Sequence, residues 1–293
     1  MSEFQYYEFQ AIDRPLTRLE MAELRKYSDR AHITPTSFIN DYQWGNFKGN
    51  QDAWMERYFD AFLYLTNWGT RILAFRLPAA SLTVTTAKAY CRGGSAMTRT
   101  RGGHVVLTFV SETGEGDELC ETEGRLSSMI SIRSELARGD VRALYLGWLL
   151  RLQSSELGDA DREPPVPAGL GELSGAQQAV AEFLRIDEAL LATAAEQSPP
   201  VARRTLKRAD IDRRVHEISL KEKEKALADY IAGKPSALQR LQDAVLGSTT
   251  SDSVGAGAPR RTAEQLIRAA RLSVRVDLRV GVTKTREPPD RVA

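Results

Sequence analysis

A short segment in the middle of the chain, residues 141–152, constrains the fold more than any other feature of the sequence. It reads VRALYLGWLLRL and is apolar on nearly every side when it is drawn as a helix. Such a helix has to be surrounded by other elements, because a surface helix carries only one apolar stripe. The segment is also shorter than the roughly 20 residues that span a bilayer. It therefore predicts a central helix at the junction between two parts of the fold.

The residues ahead of this helix are patterned as strands and helices. Residues 5–12 alternate, with Tyr7 and Phe9 on one face, which is typical of a strand. A capping box at Thr17 and Glu20 predicts the start of an amphipathic helix. In all, the patterns predict helices over 17–31 and 52–66, strands over 36–44, 71–78 and 104–111, and a loop over 87–103. This order indicates a small sheet with two helices packed on it.

The residues behind the sheet are patterned for helices alone. Capping residues at Ser174, Asp187 and Ser219 mark helix starts, and a proline-rich connector lies at 163–167. We therefore expect an α+β fold, with a small N-terminal sheet and two packed helices followed by an all-helical region. The predicted boundaries are an α/β domain over 1–112 and a helical domain over 113–246.

The last part of the chain, 247–293, is predicted to be a flexible linker and a tail. Residues 247–259 are rich in glycine and serine, as flexible linkers are. A short helix is expected from Thr262 to about Arg271, and the arginine- and valine-rich sequence after it has no clear period. We interpret that sequence as the product of a truncation or a frameshift, which the other reading frames of the gene would reveal.

Composition places the chain among globular proteins of a reducing compartment. Apolar residues make up 42% of the chain and charged residues 27%, as in ordinary globular domains. The two cysteines, Cys91 and Cys120, are too few for a disulfide framework. The first residues have neither the basic nor the apolar region of a signal peptide. We therefore expect a cytoplasmic protein without membrane contact.

The net charge of +1 conceals a split between the two ends of the chain. Residues 1–198 hold 20 lysines and arginines against 27 acidic residues, whereas residues 199–293 hold 20 against 12. An acidic front and a basic rear can attract one another, or the rear can face an anionic partner. The split alone does not choose between these two interpretations.

Several segments of the sequence resemble those of a family of uncharacterised bacterial proteins. The segments are YYEFQAIDRP, ITPTSF, YFDAFLYLTNWGT, RGDVRALYLGWL and EPPVPAGLGELS, and the resemblance covers residues 4–198. It implies an organisation of the chain and no particular activity.

The sequence contains no catalytic signature. The sequence has no glycine-rich nucleotide fingerprint and no P-loop. Two cysteines and three scattered histidines do not supply a zinc site or a hydrolase triad. We therefore predict neither a metal nor a cofactor, and no catalytic residue.

Two groups of residues are nevertheless candidates for binding. Polar and indole side chains at turns of the front half can stack on a ring or contact a partner, or can simply cap the core. They are Asp13, Arg14, Trp44, Lys48, Asn67 and Trp68. Basic residues in the glycine-bearing loop and in a predicted basic helix over 203–214 can bind phosphate, or can pair with acidic residues of the chain. They are Arg92, Arg99, Arg101, Arg203, Arg204, Lys207 and Arg208.

These observations favour a non-enzymatic protein-interaction or scaffold protein whose partner is another protein. One alternative is a nucleic-acid-associated protein that uses the basic loop 92–101 and the basic helix 203–214. A second alternative is an enzyme with a pocket near Asp13, Arg14, Asn67 and Trp68. The last alternative requires these four side chains to converge.

Overall fold

The computed structural model describes residues 3–45, 47–113, 124–201, 208–231 and 260–283. These residues form an α+β fold, as the sequence predicts. The strands are β1 (Gln5–Gln10), β2 (His32–Thr34), β3 (Ser37–Tyr42), β4 (Ala61–Thr66), β5 (Thr70–Pro78), β6 (Ala96–Arg101) and β7 (His104–Glu112). The described helices are α1 (Arg18–Arg25), α2 (Gln51–Arg57), α3 (Val84–Tyr90), α4 (Arg125–Met129), α5 (Ser131–Ala137), α6 (Arg142–Gln153), α7 (Gly175–Phe183), α8 (Glu188–Ala195), α9 (Arg208–Glu217), α10 (Leu220–Ile231) and α11 (Ala263–Thr283).

The strands form one antiparallel sheet in the order β2-β3-β1-β4-β5-β7-β6. Both faces of its centre are covered. One face carries an aromatic cluster that includes Phe9, Phe38 and Phe62 and packs with Trp54 of α2. The other face belongs to a larger apolar cluster shared with the helices of the back half. The sheet, with seven strands, is larger than the four strands expected from the sequence.

The helix predicted over 52–66 is correct only as far as Arg57. Only Gln51–Arg57 is helical, and Ala61–Thr66 is the central strand β4, buried at every position. A strand buried on both faces is a continuous apolar run, so its side chains do not alternate in polarity. Such a run cannot be told from a buried helix by periodicity alone.

Two other front-half predictions need correction. The helix predicted over 17–31 ends at Arg25, whose guanidinium donates to the carbonyl oxygens of Ser28, Asp29 and Ala31 and holds the turn that follows. The predicted loop over 87–103 contains the end of α3 and the edge strand β6. β6 and β7 are joined at Gly102 and Gly103, both with positive φ, as a tight hairpin turn requires.

Helix α6 is the central helix that its sequence predicts. It is buried along its length, and Tyr145 and Leu149 are among its fully enclosed side chains. The apolar cluster around it includes Leu107 of the sheet and Leu266 of α11. The predicted domain boundaries at 112 and 246 stay a prediction. The apolar cluster around α6 contains residues from both sides of the first boundary.

The helix that begins after Thr262 is longer than predicted. It spans Ala263–Thr283, so the arginine- and valine-rich sequence after Arg271 is helical as far as Thr283. Its buried residues Ala263, Leu266 and Ala270 recur at helical spacing and belong to the large core. The predicted linker over 247–259 lies outside the described residues. Within the described part of the chain, no helix has the length and apolarity needed to cross a membrane.

Candidate functional site

The structure does not bring together the four residues of the expected enzyme pocket. Asp13 and Arg14 follow β1 at one end of that strand, whereas Asn67 and Trp68 follow β4 at the other end. β1 has six residues, and a strand of that length spans about 20 Å at ~3.3 Å per residue. The two pairs therefore occupy opposite ends of the sheet.

Asp13 is exposed and lies at the edge of a network of charges whose other members are largely buried. Both of its carboxylate oxygens accept from Arg133 of α5, at 3.1 and 2.9 Å. Arg133 also donates to the backbone oxygen of Arg76 at 2.7 Å. The centre of the network is Asp60, which accepts from Arg76 at 2.7 and 3.1 Å and from the backbone amides of Ile12 and Asp13. The network ties α5 to the turns at this end of the sheet.

Asp60 is ionised because its hydrogen-bond and ion-pair partners lower its pKa by more than its burial raises it. Burial alone would raise the pKa of this carboxyl, but the Arg133 guanidinium, the Asp13 amide and the Arg76 side chain lower it below its usual range. The predicted helix would have put Asp60 on a solvated face, so sequence reasoning missed its role. Its partners lie in the turn after β1 and in β5, with Arg133 of α5 3.8 Å away, so Asp60 ties these elements together.

Arg14 and Asn67 are also engaged within the fold. Arg14 donates to both oxygens of Glu20 at 2.9 and 2.7 Å, and this ion pair lowers the pKa of Glu20 to about 2. The Asn67 side chain accepts from the backbone amide of Phe4 at 3.0 Å. These contacts fix the turns in which Arg14 and Asn67 lie. Trp68 is partly exposed beside Asn67.

Trp44 and Lys48, by contrast, lie in the wall of a cleft of about 460 Å³. We call it the Trp44 cleft. One wall is the turn between α1 and β2, and the other is the segment that follows β3. The lining residues are Lys26, Tyr27, Ser28, Asp29, Arg30, Tyr42, Trp44, Gly45 and Lys48.

The Trp44 cleft is basic and aromatic. Three of its side chains are cationic, at Lys26, Arg30 and Lys48, and one, Asp29, is anionic. All four are exposed, and none forms an ion pair with another described residue. The Trp44 indole is 76% exposed. A surface indole of this kind is an available stacking platform.

Tyr42 forms part of the cleft that sequence reasoning did not identify. It is only 8% exposed and contacts Tyr7 edge to face at 5.7 Å. Its hydroxyl oxygen is buried, and the side chains of Asn40 and Ser28 are its polar neighbours. Burial raises the pKa of Tyr42, while nearby Asn40, Arg30 and Ser28 partly oppose the rise. Tyr42 lines the cleft, but its hydroxyl oxygen is closed off from solvent.

The described part of the basic loop is largely paired with acidic residues. Arg99 contacts Asp52 at 2.6 Å and Arg101 contacts Glu56 at 2.9 Å, both across to α2. Arg92 is exposed. In the rear helix, Arg208 pairs with Asp212 at 3.0 Å. Three further predicted anion contacts, Arg203, Arg204 and Lys207, lie outside the described residues.

Helices α9 and α10 present a different kind of surface. Among the described residues of α9 none is buried. In α10 three apolar side chains, Leu220, Leu227 and Ile231, are 69%, 58% and 76% exposed. Their spacing of seven and four residues places them on one side of the helix. We call them the α10 stripe.

The described residues hold no group of histidine, cysteine and carboxylate side chains that could ligate a metal ion. Comparison with protein-family models, with curated proteins and with solved structures finds no match for this chain.

Proposed function

We propose that the protein is a non-enzymatic scaffold that associates with a second copy of itself through the α10 stripe. The observation that carries the proposal is the exposure of Leu220, Leu227 and Ile231 on one side of a single helix. Isolated helices of fewer than about 12–15 residues are marginal in water. α9 has 10 residues and α10 has 12, so contact with a further apolar surface would stabilise them.

Side-chain interactions within α9 and α10 are short-range contacts along the chain. A capping box joins Ser219 and Glu222 at the start of α10. On α9, Arg208 pairs with Asp212 and Arg213 with Asp210, each within one helical turn. Exposed pairs of this kind contribute only about 0.3–0.5 kcal/mol each, which leaves the apolar stripe as the main source of stabilisation.

The charge of the helices favours a second copy of the chain over an anionic partner. Residues 208–231 hold six acidic residues and six lysines or arginines. Because the acidic and basic residues of these two helices are equal in number, the helices do not repel a second copy of the chain and do not attract a polyanion. In an antiparallel pair, Leu220 of one copy meets Ile231 of the other, which satisfies two-fold symmetry. The short contact predicts a weak, micromolar dimer, since its area lies below about 1,200 Å².

Sedimentation velocity over about 1–200 µM tests the proposal with the full chain. We expect the wild type to shift from monomer to dimer, and Leu227→Glu to remain a monomer. Leu272→Glu is the matched control, because Leu272 is an exposed leucine of α11 that is not part of the stripe. Circular dichroism checks that each variant is folded. A wild type that stays monomeric throughout would refute self-association.

The nucleic-acid alternative is tested on the same protein. Because Arg99, Arg101 and Arg208 are engaged with carboxylates, we expect the chain to flow through a polyanion column at ~0.15 M salt. Retention there would favour the alternative over the scaffold.

A further inference from the structure

The loop between α3 and β6 binds a carboxylate with its backbone. The amide of Gly94 donates to Oε2 of Glu156 at 3.1 Å, and the amide of Ser95 donates to Oε1 of the same side chain. The Arg151 guanidinium, in α6, contacts Oε2 at 3.3 Å. Successive backbone amides that point at one anion form a nest, an arrangement that binds phosphate in many proteins. We call the two amides and the Arg151 guanidinium the Gly94 nest.

Two glycines leave room for the anion in the nest. A β-carbon added at Gly93 would collide with Oε2 of Glu156 and with Nε of Arg151, and one added at Gly94 would lie 2.9 Å from Oε1. Neither glycine has a positive φ, so the backbone itself accepts other residues at both positions. The close approach of the anion is therefore the reason that larger side chains do not fit there.

The segment that carries Glu156 is exposed and is fixed by other contacts. Ser155, just after the end of α6, has a φ of 57°, and the amide of Glu156 donates to the backbone oxygen of Arg151 at 3.0 Å. Backbone bonds of this kind close the end of a helix. Arg151 also donates to the backbone oxygen of Tyr90 at 3.2 Å, which holds its guanidinium in place. The Glu156 carboxylate can therefore leave the nest while the groups that bind it stay.

The positive charge at the loop exceeds the charge of one carboxylate. Arg92, next to Gly93, is exposed and forms no ion pair with another described residue, so Arg92 and Arg151 supply two cations. A phosphate group carries about 1.5–2 negative charges at pH 7 and three strong acceptor oxygens. We propose that the Gly94 nest binds the phosphate group of a small anion, and that Glu156 is an internal competitor which the phosphate displaces. No residue of the nest belongs to α9 or α10, so self-association and phosphate binding can fail separately.

Nuclear magnetic resonance of the full chain, titrated with inorganic phosphate at neutral pH and constant ionic strength, tests the proposal. We expect the amide signals of Gly94 and Ser95 in Glu156→Ala to shift with a dissociation constant of about 10 mM or less. The wild type should bind at least about tenfold more weakly, because its tethered carboxylate has a high effective concentration. Acetate, with a single charge, should bind Glu156→Ala more weakly than phosphate does. Amide signals that phosphate does not shift in Glu156→Ala, or tighter binding of acetate, would overturn the proposal.

Further variants locate the phosphate and control for charge. Gly93→Ala, combined with Glu156→Ala, places a β-carbon where the bound oxygen lies and should abolish phosphate binding. Glu188→Ala is the matched control, since it also removes one exposed carboxylate but leaves Glu156 in the nest, and it should bind as weakly as the wild type.

Circular dichroism checks that each of these variants is folded. Glu156→Gln keeps the shape of the side chain and removes its charge, so it should also bind phosphate more tightly than the wild type, and it keeps the test decisive if Glu156→Ala does not fold. Equal binding by the wild type and by the Glu156 variants, or binding that survives Gly93→Ala, would refute the assignment.

Discussion

Arg261 forms a bidentate ion pair with Glu163, which lies 98 residues earlier in the chain. Both contacts measure 2.9 Å, and the Glu163 side chain is 1% exposed. Glu163 also accepts from the hydroxyl of Tyr145 in α6, and Arg261 donates to the backbone oxygen of Thr193. The pair therefore joins the start of α11 to the central helix and to α8.

Removing this pair should loosen the attachment of α11. Arg261→Ala leaves a buried carboxylate without its cation, and loss of one partner of a buried pair costs about 3–5 kcal/mol. We expect a correspondingly lower urea midpoint for unfolding. Arg268→Ala, at an exposed position of the same helix, should change the stability by less than about 0.5 kcal/mol. Equal midpoints for the two variants would contradict this role of Arg261.

The lowered pKa of Asp60 makes the free energy of unfolding depend on pH. Because its pKa is lowered in the folded state, it contributes stability that is fully present above the unfolded-state pKa of about 3.9. That stability is lost as the pH falls through the lower folded-state pKa. The wild type should therefore lose more unfolding free energy than Asp60→Asn when the pH is taken from about 6 to 2.5. Urea titrations at both pH values measure the difference, and parallel losses would show that Asp60 does not titrate as described.

Features encoded within a few residues could be predicted from the sequence. The capping boxes at Thr17 and Ser174 both form, because each needs only a side chain and a backbone amide three residues away. Helix α6 was predictable because a segment that is apolar all round can only be buried. The strand β1 was predictable because its aromatic residues alternate with polar ones.

Features that depend on distant residues could not be predicted in this way. β4 is a strand because β1 and β5 pair with it and both of its faces are covered, and none of these neighbours is visible in its own sequence. For Arg99 the sequence left two alternatives, an anion or an acidic residue of the chain, and it is the sheet that brings it to Asp52, which is 47 residues away. Trp44 and Lys48 were candidates because they lie at a predicted turn of the front half. Tyr42 was missed because its burial beside Tyr7 at the edge of the cleft is a property of the packed structure.

The environment of Cys91 predicts an unreactive thiol. The side chain is fully buried, and burial raises its pKa to about 12, against a smaller lowering by Arg151. Since the thiolate is the reactive form, iodoacetamide at pH 8 should not label Cys91 in the native protein. Mass spectrometry of the peptide that contains Cys91 measures the labelling, with the same protein in urea as the positive control. Equal labelling rates with and without urea would contradict the buried position.

Helix α6 approaches the sheet closely at Gly147. A β-carbon added there would lie 2.6 Å from a ring carbon of Phe109 and 2.8 Å from the sulfur of Cys91. Both neighbours are fully buried, so they cannot move aside without disturbing the core. Gly147→Ala should therefore destabilise the fold by about 1–3 kcal/mol, as overpacking does.

Gly175 provides the matched control for this substitution. It is the first residue of α7, and an added β-carbon meets nothing within 4 Å. Gly175→Ala should be neutral or should stabilise the protein by up to about 1 kcal/mol, because alanine loses less backbone entropy in a helix. Chemical unfolding of both variants measures the contrast. If Gly147→Ala were as stable as Gly175→Ala, α6 could not lie as close to β7 as the packing of Phe109 requires.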